Sequence, residues 1–329
     1  MPASNTQPQQ SILNRLLFRL LSIPREGPEI SDRIVAFDSE TLARQPVLKQ
    51  EVIREFESLN RPDAVRVIEK LPADSDGTLN AKAVDDLLVT VHCEMQRISE
   101  EFQHGRRMSQ LLGPLLEAVR DGKSDARLRV VDIGCGTGFV LRWLAAHNAV
   151  PDDVELIGAD YNAALIEEAR RLASMEDLRC RFVVANAFQL DQPAAIYIST
   201  GILHHFRGAH LIDLFAQHAQ PGTRAFLHFD FHQTPIAPFG SWLFHEVRMR
   251  QPLAWYDGIL SAVRAYRADE LLTAARAAVP SFHSAVYGIR LWGWPIPRAF
   301  HSLIGIRPEY RETFLEKLGS KVNSLGVLE

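Results

Sequence analysis

From residue 80 onward the apolar positions fall into two rhythms. Over residues 80–103, Leu88, Val91, Met95, Ile98 and Phe102 recur at steps of three and four, the stripe of an amphipathic helix. A second helical segment carries Met108, Leu111, Leu112, Leu115, Leu116 and Val119. Upstream, turn residues interrupt the chain near 24–28, at Pro46, at Arg61 and Pro62, and over 72–77, and no strand pattern is evident. Residues 1–120 are therefore expected to form a helical cap, with a polar and disordered start at 1–10. Within it, residues 11–23 set Leu13, Leu16, Leu17, Leu20 and Leu21 against Arg15 and Arg19. That is either a helix docked on its own core or a short interfacial one.

From residue 127 the rhythm changes to short apolar runs that alternate with helical stretches. Strands are expected at 127–133, 154–159, 181–185, 195–200, 223–231 and 282–290. Helices follow the first run, begin after Asn162 as a cap, and occupy 268–278. Alternation of this kind predicts right-handed βαβ units and a parallel sheet. The aromatic-rich stretch at about 232–257 interrupts it as an insertion, giving a core at 121–291 and a carboxyl-terminal extension at 292–329.

Composition narrows the class. Hydrophobic residues at 47% and charged residues at 23% are globular values, and the net charge of -4 recommends no nucleic-acid partner. No stretch reaches the roughly 18 apolar residues of a membrane span. Cys93, Cys135 and Cys180 lie far apart without metal spacing, which reads as reduced thiols in the cytoplasm.

Chemistry enters at residues 130–139, VVDIGCGTGF. A buried strand ends on Asp132 and Ile133, and Gly134, Gly136 and Gly138 follow at alternate positions before a helix opens. Glycines at such a junction let a ligand approach the backbone closely, so the turn marks a nucleotide pocket at the end of a strand. A dinucleotide turn would read G-x-G-x-x-G; this one reads G-x-G-x-G after an acidic residue. Asp160 ends the second strand 22 residues after Gly138, where a carboxylate can accept from both ribose hydroxyls of a nucleoside or simply close a loop in solvent.

The segment from Asp132 to Gly138 resembles the first motif of the class I S-adenosylmethionine (AdoMet) dependent methyltransferases. The resemblance covers about residues 105–290 and is moderate at the later motifs. It implies an α/β fold: a Rossmann-like, doubly wound, mostly parallel seven-stranded sheet with helices on both faces, beside the helical cap. It also implies AdoMet as cofactor, held by Asp132, Gly134, Cys135, Gly136 and Gly138 and by Asp160 with Tyr161. Asn186, Ala187 and Phe188 resemble the adenine-contact motif, although an aspartate is usual at the place of Asn186. Thr200 and Gly201 fall in the loop that borders the methionyl part. His204 and His205 beside them are the candidate catalytic residues, as a general base or as structural side chains that pack the next helix. Arg106 or Arg107 is a candidate for the methionyl carboxylate.

His228, Asp230 and His232 alternate along a strand, but no metal is expected there. Trp255, Tyr256, Tyr266, Trp292 and Trp294 are candidates for the wall or lid of an acceptor pocket, or for ordinary core packing. The expected activity is methyl transfer to a small, partly apolar metabolite of secondary metabolism; a second copy of the chain is a candidate partner. Two alternatives stay open: an enzyme that consumes AdoMet by another reaction, and a non-catalytic AdoMet-binding protein.

Overall fold

The apolar runs after residue 127 assemble into one sheet, and the helical stripes cover it. The computed structural model describes residues 24–120, 128–190, 194–288 and 298–326; the segment at 11–23, and Trp292 and Trp294, lie outside the described residues. The cap comprises helices α1 (Ser31–Ile34), α2 (Lys49–Ser58), α3 (Pro62–Glu69), α4 (Ala81–Glu101) and α5 (His104–Val119). The Asn80 side chain accepts from Ala83 N at 2.9 Å and so starts α4, while Gln103, at φ 55°, breaks the chain between α4 and α5. The cap also holds a hairpin of β1 (Ala36–Phe37) and β2 (Arg44–Gln45) that periodicity misses because each strand has two residues.

The core follows as β3 (Leu128–Ile133), α6 (Phe139–Ala146), β4 (Val154–Asp160), α7 (Ala163–Met175), β5 (Cys180–Val184) and β6 (Ile196–Thr200). Then come α8 (Ala209–Ala216), β7 (Ala225–Phe231), α9 (Ala237–Arg248), α10 (Pro252–Arg264), α11 (Ala268–Ala278) and β8 (His283–Tyr287). The chain closes with β9 (Phe300–Ile306), α12 (Pro308–Leu318) and β10 (Leu325–Gly326). The sheet order is β5-β4-β3-β6-β7-β9-β8-β10, parallel from β5 to β7 and antiparallel at β9. Seven of these strands make the expected doubly wound sheet, and the two-residue β10 adds an eighth at the edge.

Two expectations change. The sheet crosses the boundary set at 291: β9, inside the supposed extension, lies between β7 and β8. All seven of its residues are buried, so it lacks the alternation that would announce it. The insertion at 232–257 is a pair of helices, α9 and α10, and runs on to Arg264. Leu253, Tyr256 and Leu260 of α10 share a core with Ile30, Phe56 and Leu88 of the cap. Cap and insertion therefore form one apolar unit that roofs the carboxyl edge of the sheet.

Candidate functional site

The strand order fixes where a ligand can lie. β3 is flanked by β4 on one side and β6 on the other, and crossovers depart in opposite directions there, leaving a crevice at the carboxyl ends. The glycine turn fills the floor of that crevice. Gly134 and Cys135 donate their amides to Ala159 O, at 2.8 and 3.1 Å, which pins the turn to β4. Gly138 has φ 73°, and a β-carbon there would stand 2.3 Å from Cε1 of Phe182. Only glycine satisfies both conditions. A β-carbon on Gly136 would come 2.9 Å from Cδ2 of His92, a cap residue on α4.

Asp160 closes the turn from the next strand. Its Oδ2 accepts from Gly136 N at 3.0 Å and its Oδ1 from Asn162 N at 2.9 Å. Burial pushes its carboxyl up, and these two amides and the neighbouring His92 hold it partly down. The Asn162 side chain in turn accepts from Ala164 N and Leu165 N and starts α7.

Asp132 is 3% exposed, its Oδ1 has no partner among the described residues, and burial together with the charge of Asp160 raises its carboxyl well above the usual range. Thr200 Oγ1 is likewise buried and unpartnered, beside Gly201, whose amide donates to Phe229 O at 2.8 Å. Unsatisfied buried oxygens are costly, and a ligand that donates hydrogen bonds or carries positive charge relieves them. A glycine cradle, a ribose-type carboxylate and an orphaned acidic oxygen together fit the nucleoside, sulfonium and ammonium of AdoMet.

At the far end of the crevice, Tyr161 meets Phe37 edge to face at 5.0 Å, and Phe188 meets Phe206 at 5.3 Å. Asn186 Nδ2 donates to Ser39 O at 2.9 Å and its Oδ1 accepts from Phe188 N at 2.9 Å, so this side chain ties the end of β5 to the cap hairpin. A cavity of about 150 Å³ lies beside it, between Leu42 and the strand residues Val131, Ala159 and Val183. Ala187 sits in the same turn.

The two histidines of the post-β6 loop are placed differently. His204 is 2% exposed; its Nδ1 meets Asp230 Oδ1 at 2.8 Å and its amide donates to Asp230 Oδ2 at 3.1 Å. Since a carboxylate only accepts, Nδ1 carries a hydrogen, and in the neutral ring Nε2 then keeps its lone pair, 3.9 Å from Glu29 Oε1. His205 turns toward the cap, with Nδ1 3.2 Å from Asp32 Oδ1 and 3.6 Å from Glu29 Oε2. Burial pulls its imidazole down, but the charge of Glu29 and the hydrogen bond and charge of Asp32 outweigh it and raise it to about 9. Arg264 of α10 donates to Asp32 Oδ2 at 2.8 Å and to His205 O at 3.1 Å.

Glu29, Asp32, Arg264 and His92 were missed from the sequence; only His92, one step from the Leu88 and Val91 stripe, carried a local signal. His228 bonds Ser199 Oγ at 2.7 Å and His218 Nε2 at 2.8 Å, and His232, one residue past β7, faces Arg298 O at 3.2 Å, so with Asp230 on His204 the alternating trio has three separate sets of partners. Arg106 lies on the surface and Arg107 is half-buried. Of the described aromatics of the insertion, Tyr256 packs on Phe56 and Trp255 Nε1 donates to Glu246 at 2.9 Å.

A family model described as a methyltransferase domain matches residues 130–222, which hold the glycine turn, Asp160, Asn186 and both loop histidines. A carboxy-S-adenosyl-L-methionine synthase of Campylobacter curvus is 31% identical over 107 residues, 32% of this chain and 41% of that protein. The chain thus spans under half the length of this curated relative. Among solved structures, an O-methyltransferase family 2 protein of Planctomyces limnophilus in complex with apigenin is 13% identical over 84% of this chain and 78% of its own, with TM-score 0.48. The plantazolicin methyltransferase BpumL with S-adenosylhomocysteine is 12% identical over 68% and 96%, with TM-score 0.44. Residues 130–222, which carry the glycine turn and the parallel half of the sheet around it, thus match a methyltransferase domain.

Proposed function

We propose that this protein is an AdoMet-dependent methyltransferase acting in the cytoplasm on a small, partly apolar acceptor of secondary metabolism. The observation that carries the reading is the Asp160 clasp on Gly136 together with the buried oxygens of Asp132 and Thr200, at the ends of β3 and β6, that have no partner among the described residues. AdoMet, when bound, supplies an electrophilic methyl carbon on a sulfonium. Asp160 holds the ribose, Asp132 faces the cationic methionyl end, and Thr200 and Gly201 border it. Tyr161 and Phe188 offer ring faces to the adenine, next to Asn186 and Ala187.

The cap and α10 exclude water over the crevice, and alignment of acceptor with the methyl supplies up to about 7–11 kcal/mol of the barrier. His204 and His205 border the acceptor side. The lone pair on His204 Nε2 can take a proton or a cation, and Asp230 positions it.

A second reading is favoured by the curated relative named as a carboxy-AdoMet synthase: AdoMet itself is the molecule modified. Titration calorimetry with AdoMet and S-adenosylhomocysteine, on wild type and Asp160→Ala, followed by mass analysis of AdoMet incubated with the protein alone and with small acceptors, separates these readings. Binding lost in the variant and AdoMet left intact without acceptor support methyl transfer. No binding to wild type overturns the reading, and a modified AdoMet favours the second.

A further inference from the structure

Three donors converge where the cap meets the post-β6 loop. Glu29, His204 and His205 each offer one ligand atom, and the three atoms lie within 4.8 Å of one another. Glu29 to His205 is 3.6 Å and Glu29 to His204 is 3.9 Å. These separations are too long for hydrogen bonds but close to the edge of a tetrahedron, about 3.3–3.6 Å for metal bonds of about 2.0–2.2 Å. The second observation is His204 itself. Its side chain is 3% exposed, and Nε2 has no hydrogen-bond partner among the described residues although Nδ1 is held by Asp230 at 2.8 Å. A carboxylate behind a ligating imidazole is the arrangement that fixes tautomer and orientation at metal centres. Around Glu29, Ser261 Oγ donates to Oε1 at 3.1 Å and Arg264 Nη1 stands 3.5 Å from the same oxygen. Asp32 Oδ1 lies 3.2 Å from His205 Nδ1, with Arg264 on its other oxygen.

We propose that Glu29, His204 and His205 bind a divalent transition cation, Zn²⁺ or Mn²⁺, with an open position directed at the acceptor. Two imidazoles and one carboxylate select such ions over Mg²⁺ or Ca²⁺, and three protein ligands leave room for one exchangeable oxygen. Its part in catalysis rests on the methyltransferase reading; the binding site does not. An acceptor hydroxyl bound there loses its proton to solvent more readily. Its oxygen then forms a bond to the methyl carbon as the carbon–sulfur bond breaks, leaving neutral S-adenosylhomocysteine. The acceptor class follows: a small molecule whose hydroxyl oxygen is both the ligand to the ion and the atom methylated.

The test uses full-length protein stripped with chelator and titrated separately with Zn²⁺ and Mn²⁺, with bound metal counted by elemental mass spectrometry. About one ion per chain is expected in wild type, at least tenfold weaker in Glu29→Gln and His205→Gln, and about tenfold weaker in the positioning variant Asp230→Asn. In the Co²⁺ form, two strongly shifted exchangeable imidazole N–H protons are expected by NMR, so the ligands are read in wild type even where a variant fails to fold. Wild type that takes up neither ion is a closed ion-pair network and overturns the site. So does metal whose uptake the folded variants leave unchanged, or a Co²⁺ spectrum without shifted imidazole protons. AdoMet binding, measured on the same preparations, separates the outcomes: AdoMet without metal removes only the metal site, and metal without AdoMet removes only the methyltransferase reading.

Discussion

Asp160 Oδ2 and the amide of Gly136 are joined at 3.0 Å across two neighbouring strands, so the carboxylate that would hold a ribose also shapes the turn beneath it. Asp160→Asn keeps the volume but can set an N–H against the Gly136 N–H. A hydrogen bond to a charged group is worth about 1.5–3 kcal/mol, so AdoMet is expected to bind about 10–100-fold more weakly. Calorimetry checks this, and an unchanged dissociation constant contradicts the role.

Gly138 tests the turn from the other side. Alanine there must adopt φ 73° and place its β-carbon 2.3 Å from the Phe182 ring. Strain of about 1–3 kcal/mol adds to overpacking of about 1–3 kcal/mol. Gly138→Ala is expected to lose roughly 2–6 kcal/mol in denaturant unfolding, whereas Gly113→Ala, whose β-carbon meets nothing within 4 Å, should lose none.

Asp132 predicts a pH effect. Burial raises its carboxyl above the ordinary value, so the stability it contributes is fully present below its unfolded value near pH 4 and is lost as pH rises through the raised one. Within that window one proton contributes at most about 1.4 kcal/mol per pH unit. Asp132→Asn should flatten the decline of melting temperature with rising pH and weaken AdoMet binding. A variant as pH-sensitive as wild type refutes the assignment.

Thr200→Val separates folding from binding. Its hydroxyl is buried without a partner, so valine is expected to leave the apo protein equally or more stable. If the hydroxyl contacts the methionyl part, the variant binds AdoMet several-fold more weakly, by about 0.5–1.5 kcal/mol. Thermal unfolding with and without AdoMet reads both effects, and an unchanged ligand-induced shift denies the contact.

The glycine turn, Asp160 and five parallel strands were legible because their signals are local: an apolar run, a turn of fixed spacing, a carboxylate at a strand end. The post-β6 loop was legible only as two adjacent histidines. What distinguishes them lies far away in sequence, Asp230 for His204 at 26 residues and Asp32 for His205 at 173. Glu29 and Arg264 have no periodic signature; they meet because α10 packs into the cap core. β9 was hidden for a different reason, since a strand buried on both faces and broken by His301, Ser302 and Gly305 reads as neither rhythm.

The position of β9 bears on how the protein is made. β7 must wait for a strand 70 residues further along the chain before its second edge is paired, while β6 pairs its first edge as soon as it emerges. During synthesis the half-sheet carrying the glycine turn can form early, with an open hydrogen-bonding edge along Ala225–Phe231. A nascent chain halted before Phe300 would present that edge to any neighbour, so the step that seals the sheet against aggregation waits until β9 has been made.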